Sequence, residues 1–99
     1  MAHRVAQCAE ADLDDIWVYV AKESGSMEVA SRLVDSICGR FFLLSRFPQA
    51  GRRRDEDFGE GMRSFPVGEY VILYCIEEAD GQILRVVHGR RDLEGLIEL

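Results

Sequence analysis

Cysteine, proline, lysine and histidine are all scarce in this sequence. Its three cysteines, Cys8, Cys38 and Cys75, are far apart, none has a CxxC partner, and their number is odd. That argues against a disulfide framework or a cysteine-built zinc site. Each sits in an apolar stretch and reads as a small core residue, which fits a reducing, cytoplasmic setting. The N-terminus lacks the long apolar region of a secretory signal. No apolar run approaches the roughly 20 residues that span a bilayer, so no membrane partner is expected. There is no glycine-rich phosphate loop, no metal-ligand spacing and no Ser/His/Asp order. No cofactor or metal is expected. Basic charge is also in deficit: the net charge is −6 and the pI about 4.8. A free-standing nucleic-acid binder carries the opposite balance, because it must displace counterions from phosphates.

What is present is a globular mixture, 47% hydrophobic and 30% charged, with only two prolines in 99 residues. The length predicts one domain over 1–99, able to bury about 60–70% of its unfolded surface in one modest core. Charge is unevenly spread. Residues 1–45 hold four bases against seven acids, whereas residues 81–91 hold Arg85, Arg90 and Arg91 and no acid. Lys22 is the only lysine. The other bases are arginines, which favour planar, bidentate contacts with carboxylate or phosphate.

The period of the apolar residues sets the elements. Residues 3–8 predict a short edge strand. Leu13, Ile16, Trp17 and Val20 follow i, i+3, i+4, i+7 helical spacing, with Glu10, Asp12, Asp14 and Asp15 crowding the first turns, where the helix dipole favours acids. Gly25 supplies the stop and Ser26 the N-cap of a second helix. Ala30, Leu33, Val34, Ile37, Phe41 and Leu44 form that helix's stripe, and Pro48 ends it. Gly39 inside it reads as a close approach to the sheet or to the first helix. Residues 48–61 read as a polar loop. The period then becomes two: a strand over 62–66, a turn at 67–69, a central strand over 70–76, a hairpin turn at 77–81 and a last strand over 82–88. Residues 92–99 read as one or two helical turns or a loose tail.

The expected fold is therefore α+β: a two-helix hairpin packed on one face of a small antiparallel sheet, in the order β-α-α-β-β-β. The expected core comprises Leu13, Ile16, Trp17, Val20, Leu33, Ile37, Phe41, Leu44, Val71, Leu73 and Val86. Tyr70, Ile72 and Tyr74 alternate with Val71, Leu73 and Cys75, so both faces of the central strand are apolar. Two helices cover only one of them. Either a partner occupies the other face, or loop 48–61 or the tail folds over it.

Three strings now form a pattern. They are Pro48-Gln-Ala-Gly51-Arg-Arg-Arg-Asp55-Glu56, Gly61-Met-Arg63-Ser-Phe-Pro66-Val-Gly68-Glu-Tyr70-Val-Ile-Leu-Tyr74, and Arg85-Val-Val-His88-Gly89-Arg90-Arg91-Asp92-Leu93. Together with the first-helix string Ala11-Asp12-Leu13-Asp14-Asp15-Ile16-Trp17-Val18-Tyr19-Val20-Ala21, the chain resembles the ParE branch of the ParE/RelE toxin superfamily over nearly its whole length. The resemblance implies the fold derived above and the toxin of a bacterial type II toxin–antitoxin module of the kind that stabilises plasmids. It implies DNA gyrase as target. It also implies a ParD-like antitoxin as partner in a hetero-oligomer. The antitoxin's ribbon-helix-helix N-terminal half binds operator DNA, which the toxin reaches only through it, and its C-terminal half wraps the toxin.

The RelE-like branch cleaves messenger RNA on the ribosome, which needs a base, an acid and cations for the phosphorane. That branch typically supplies a basic loop, a sheet arginine and a late Tyr or His. Here Arg52, Arg53 and Arg54 match the loop. Arg63, Arg85 and Arg91 match a phosphate clamp. No Tyr or His follows His88, and arginine does not deprotonate in proteins. No catalytic residue is therefore assigned. A RelE-type endoribonuclease, or a non-toxic binding module of this fold, is the alternative. The expected target or antitoxin contacts are Arg63, Arg85, His88, Arg90 and Arg91. Arg63 and Arg85 are expected to share a sheet face. His88 reads either as a base or nucleic-acid contact, or as a structural histidine bonded to the neighbouring turn.

Overall fold

The computed structural model describes residues 4–77 and 80–90. Strand β1 (Arg4–Val5) leads into helix α1 (Gln7–Ser24), which stops where Gly25 adopts φ 70, a left-handed conformation suited to glycine. Helix α2 (Met27–Arg46) starts at Ser26, whose hydroxyl accepts the Val29 N–H at 3.2 Å, and ends at Phe47 before Pro48.

A 3-10 turn (Pro48–Ala50), strand β2 (Arg52–Arg53) and the short helix α3 (Asp55–Phe58) fill the segment expected to be a loop. Sequence pattern missed β2 because two arginines carry no alternation. Strands β3 (Met62–Val67), β4 (Tyr70–Glu77) and β5 (Asp80–His88) follow.

The five strands lie in the order β1-β5-β4-β3-β2. All pairs are antiparallel except β1 with β5, which is parallel. Between Leu73/Tyr74 and Arg85/Ile83 the register slips by one. Leu84 is the extra residue of this β-bulge, which lets Ile83 and Val86, an odd step apart, both face the helices. Pro66 sits where a proline does no harm. The Arg54 N–H donates to the Met62 carbonyl, so even-numbered residues of β3 bond towards β2. Pro66 shares that parity beyond the end of β2, and its missing N–H falls at the open sheet edge.

The core lies between the helices and one sheet face. Ile37, Leu44, Ile72, Tyr74 and Ile83 are completely buried there, with Phe41, Val67, Tyr70 and Val86 around them and Leu13, Val20 and Leu33 partly buried against them. Three expectations need correction. Trp17 is only half-buried, and its indole N–H donates to the Ser31 hydroxyl across the helix pair at 3.1 Å. Its polar edge needs a partner, which holds it at the helix–helix rim. The cysteines are not core residues: Cys8 and Cys38 are exposed and Cys75 is half-buried. Gly39 is exposed with nothing within 4 Å of where a Cβ would stand. The close approach is instead at Gly51, where a Cβ would lie 2.6 Å from a Tyr74 ring carbon and 2.8 Å from the Ser64 carbonyl.

The sheet's other face is not bare at its centre, since Leu73 and Val87 are 2% and 3% exposed. Val71 and Cys75 beside them are half-buried. The expected tail, 92–99, lies outside the described residues.

Candidate functional site: a charged cleft beside the last strand

Asp12 stands on the inner flank of α1, one turn before the buried Ile16. A carboxylate on an apolar stripe must find partners, and Asp12 finds three. Arg85 Nε and Nη2 donate to its two oxygens at 2.8 and 3.1 Å, and the Val86 backbone N–H donates to Oδ2 at 2.9 Å. The first two bonds form a charge-assisted fork. The third satisfies a backbone group on the sheet edge where β1 has already ended. Asp12 thus fastens α1 to β5. Sequence reading assigned it only to the helix dipole; its position on the stripe was the signal that it had an inward partner.

Beside this clasp opens a cleft of about 360 Å³, lined by Asp12, Asp15, Tyr19, Tyr70, Arg85 and His88 among others. His88 stands edge-on to Tyr70, with ring centroids 5.4 Å apart. Its Nδ1 accepts the Arg90 backbone N–H at 3.3 Å, and Nε2 lies 3.7 Å from the exposed Glu69 carboxylate. These contacts serve the turn that ends β5. A second cleft, of about 380 Å³, lies on the other side of that turn and is lined by Glu69, Tyr70, His88 and Arg90. The fold thus gathers Arg85, His88 and Arg90 at one end of the sheet.

Arg63 is elsewhere. Its register partner is Tyr74, on the helix-facing side, whereas Arg85 pairs with Leu73 on the opposite side. The two arginines therefore do not share a face. Arg63 Nη1 donates to the carbonyls of Gly51 at 2.8 Å and Gln49 at 3.4 Å. The buried Tyr74 hydroxyl donates to the Pro48 carbonyl at 2.6 Å and accepts the Gly51 N–H at 2.8 Å. Together they pin the 48–51 turn. Burial pushes the Tyr74 phenol up from its ordinary pKa, more than the Gly51 N–H and the Arg63 charge pull it down.

Of the arginine run 52–54, Arg53 and Arg54 are spoken for locally. Arg53 pairs with Asp55 at 3.0 Å, and Arg54 pairs with Asp57 at 2.8 Å and donates to the Ser64 hydroxyl at 2.9 Å. The Gly61 N–H, ahead of Arg53, holds the Asp55 carboxyl below its usual range. Arg91 lies outside the described residues. Among those described, no three His, Cys, Asp or Glu side chains cluster to hold a metal, and no helix is long and apolar enough to cross a membrane.

The model of the family described as "ParE toxin of type II toxin-antitoxin system, parDE" matches residues 4–93. The chain belongs to the ParE toxin family. Among its relatives, this ParE-family chain is 38% identical over 82 residues to Toxin ParE3 of Caulobacter vibrioides, covering 83% of itself and 80% of that protein. It is 30% identical over 86 residues to Toxin ParE1 of the same organism, covering 87% and 86%. In three dimensions it resembles a chain of the chromosomal ParDE system from P. aeruginosa, with TM-score 0.77, 23% identity and coverage of 89% and 95%. It also resembles a chain of the RelBE2 toxin–antitoxin complex from Mycobacterium tuberculosis, with TM-score 0.55, 27% identity and coverage of 88% and 95%. As a ParE-family member it is the toxin of a type II toxin–antitoxin system.

Proposed function

We propose that this toxin acts in the cytoplasm by binding DNA gyrase, and that a ParD-like antitoxin neutralises it by direct contact. Family membership over residues 4–93 carries the reading. The geometry supports binding over RNA cleavage. The side chains nominated for acid–base or phosphate chemistry already serve the fold: Arg85 is forked onto Asp12, Arg63 holds two carbonyls, and His88 accepts a backbone N–H while packing on Tyr70. A general base must reach the proton it abstracts. Tyr74, the most buried phenol, is aimed at the 48–51 turn. Arg85 and Arg90, gathered with the structural His88 at one end of the sheet, are the proposed contacts for target or antitoxin, with Arg91 beside them in sequence.

Expression of the chain alone is expected to arrest bacterial growth, and co-expression of the antitoxin from the adjacent reading frame to restore it. Unimpeded growth at verified soluble expression would instead favour a non-toxic binding module.

A further inference from the structure

The chain enters β2 only at Arg52, opposite Ser64, whereas β3 runs on to Val67. The residues just before Arg52 are held aside, because Tyr74 and Arg63 pin the 48–51 turn. A cleft of about 350 Å³ is left beside β3, lined by Arg52, Arg54 and Ser64 and by the apolar Ala50, Pro66 and Val71. That volume falls at the small end of the range for small-molecule sites, roughly 300–1,000 Å³. No acid lines the cleft among the described residues.

The polar groups of this cleft have donors to spare. Strand alternation sends Arg53 the other way, to its ion pair with Asp55. Arg54 is balanced by Asp57 at 2.8 Å and donates to the Ser64 hydroxyl at 2.9 Å. Ser64 is 3% exposed, and that bond uses its oxygen; its own proton meets no acceptor among the described residues. The Arg52 side chain makes no ion pair or hydrogen bond with any described residue.

We infer that this cleft is a binding site for a small organic monocarboxylate, one carboxylate on a compact apolar body. Arg52 offers the planar fork that matches two carboxylate oxygens, and the Ser64 proton adds a third bond. The apolar body lies against Ala50, Pro66 and Val71, which gain by being covered. Charge sets the class. With Arg53 held by Asp55 and Arg54 by Asp57, Arg52 is the cation of the run left to balance, and a monoanion balances it. A phosphate dianion would bring a second charge with no free cation of the run to meet it. The site does not depend on which target the toxin holds.

The test is a two-dimensional NMR titration of the purified chain with 3-phenylpropanoate, its neutral amide, acetate and phenyl phosphate, repeated on Arg52→Gln with a melting curve. The expected result is saturable binding of 3-phenylpropanoate that shifts the backbone signals of Ala50, Arg52, Ser64 and Val71. The amide and acetate are each expected to bind about tenfold more weakly or worse, one lacking the charge and the other the apolar body. Arg52→Gln is expected to lose about tenfold for the carboxylate and little for the amide. Its melting temperature should be unchanged, because the native side chain is exposed and unpartnered. Absence of saturable shifts at those four residues overturns the site, as does equal binding of acid and amide or unchanged affinity in Arg52→Gln. Phenyl phosphate binding tenfold tighter than 3-phenylpropanoate overturns the assignment to a monocarboxylate.

Discussion

Removing the Tyr74 hydroxyl would orphan two groups at once, the Pro48 carbonyl and the Gly51 N–H. Tyr74→Phe is therefore expected to lose about 1–3 kcal/mol in denaturant melts, the usual consequence of an unsatisfied buried polar group. Its pH dependence has a definite sign. Burial raises the folded-state phenol pKa, so folding opposes ionisation. That contribution is fully present below the unfolded value of about 10 and is lost as pH rises through the folded value. The alkaline fall in stability should be shallower in Tyr74→Phe than in the wild type. Asp12 makes a second residue-scale case. Asp12→Ala leaves Val86 N–H and Arg85 without their partner, with an expected loss of about 1–3 kcal/mol. A loss no larger than that of an exposed acid on α1, such as Glu10→Ala, would show the clasp to be idle.

At the scale of elements, the two helical stripes should differ in what they contribute. Ile37 is fully buried under α2, and Ile37→Ala is expected to cost about 2–5 kcal/mol. Trp17 is half-buried with its N–H on Ser31, so Trp17→Ala is expected to cost clearly less than Ile37→Ala when the two are melted in parallel. Both helices, their caps and the three long strands were legible because Leu13, Ile16, Ile37, Phe41 and Tyr70–Ile76 repeat with clear periods. Strand β2 and helix α3 were not, because Arg52–Phe58 is polar and held by side-chain bonds such as Arg53 to Asp55 and Gly61 N–H to Asp55. The parallel pairing of β1 was hidden too, since two residues carry no direction. The candidate site was half legible. His88, Arg85 and Arg90 were nominated by type and order. Asp12 was not, since its partner lies 73 positions away and no local pattern records it. The opposite faces of Arg63 and Arg85 follow from the bulge at Leu84, which breaks the alternation that sequence reading assumes.

The whole molecule is a small acidic domain whose nominated arginines and histidine mostly brace its own backbone. The central proposal is that this ParE-family toxin acts by holding a topoisomerase, with no His88-dependent cleavage of RNA. The most direct measurement sets a gyrase supercoiling assay beside a translation-coupled mRNA cleavage assay, using the purified wild-type chain and His88→Ala. A positioned histidine base is worth about 10²–10⁴ in rate, so its removal could not pass unnoticed if it did the chemistry. The account predicts that the wild type inhibits supercoiling, leaves mRNA intact, and keeps its inhibition in His88→Ala apart from any loss that follows stability. Untouched supercoiling, with translation-dependent mRNA cleavage that vanishes in His88→Ala, would contradict it.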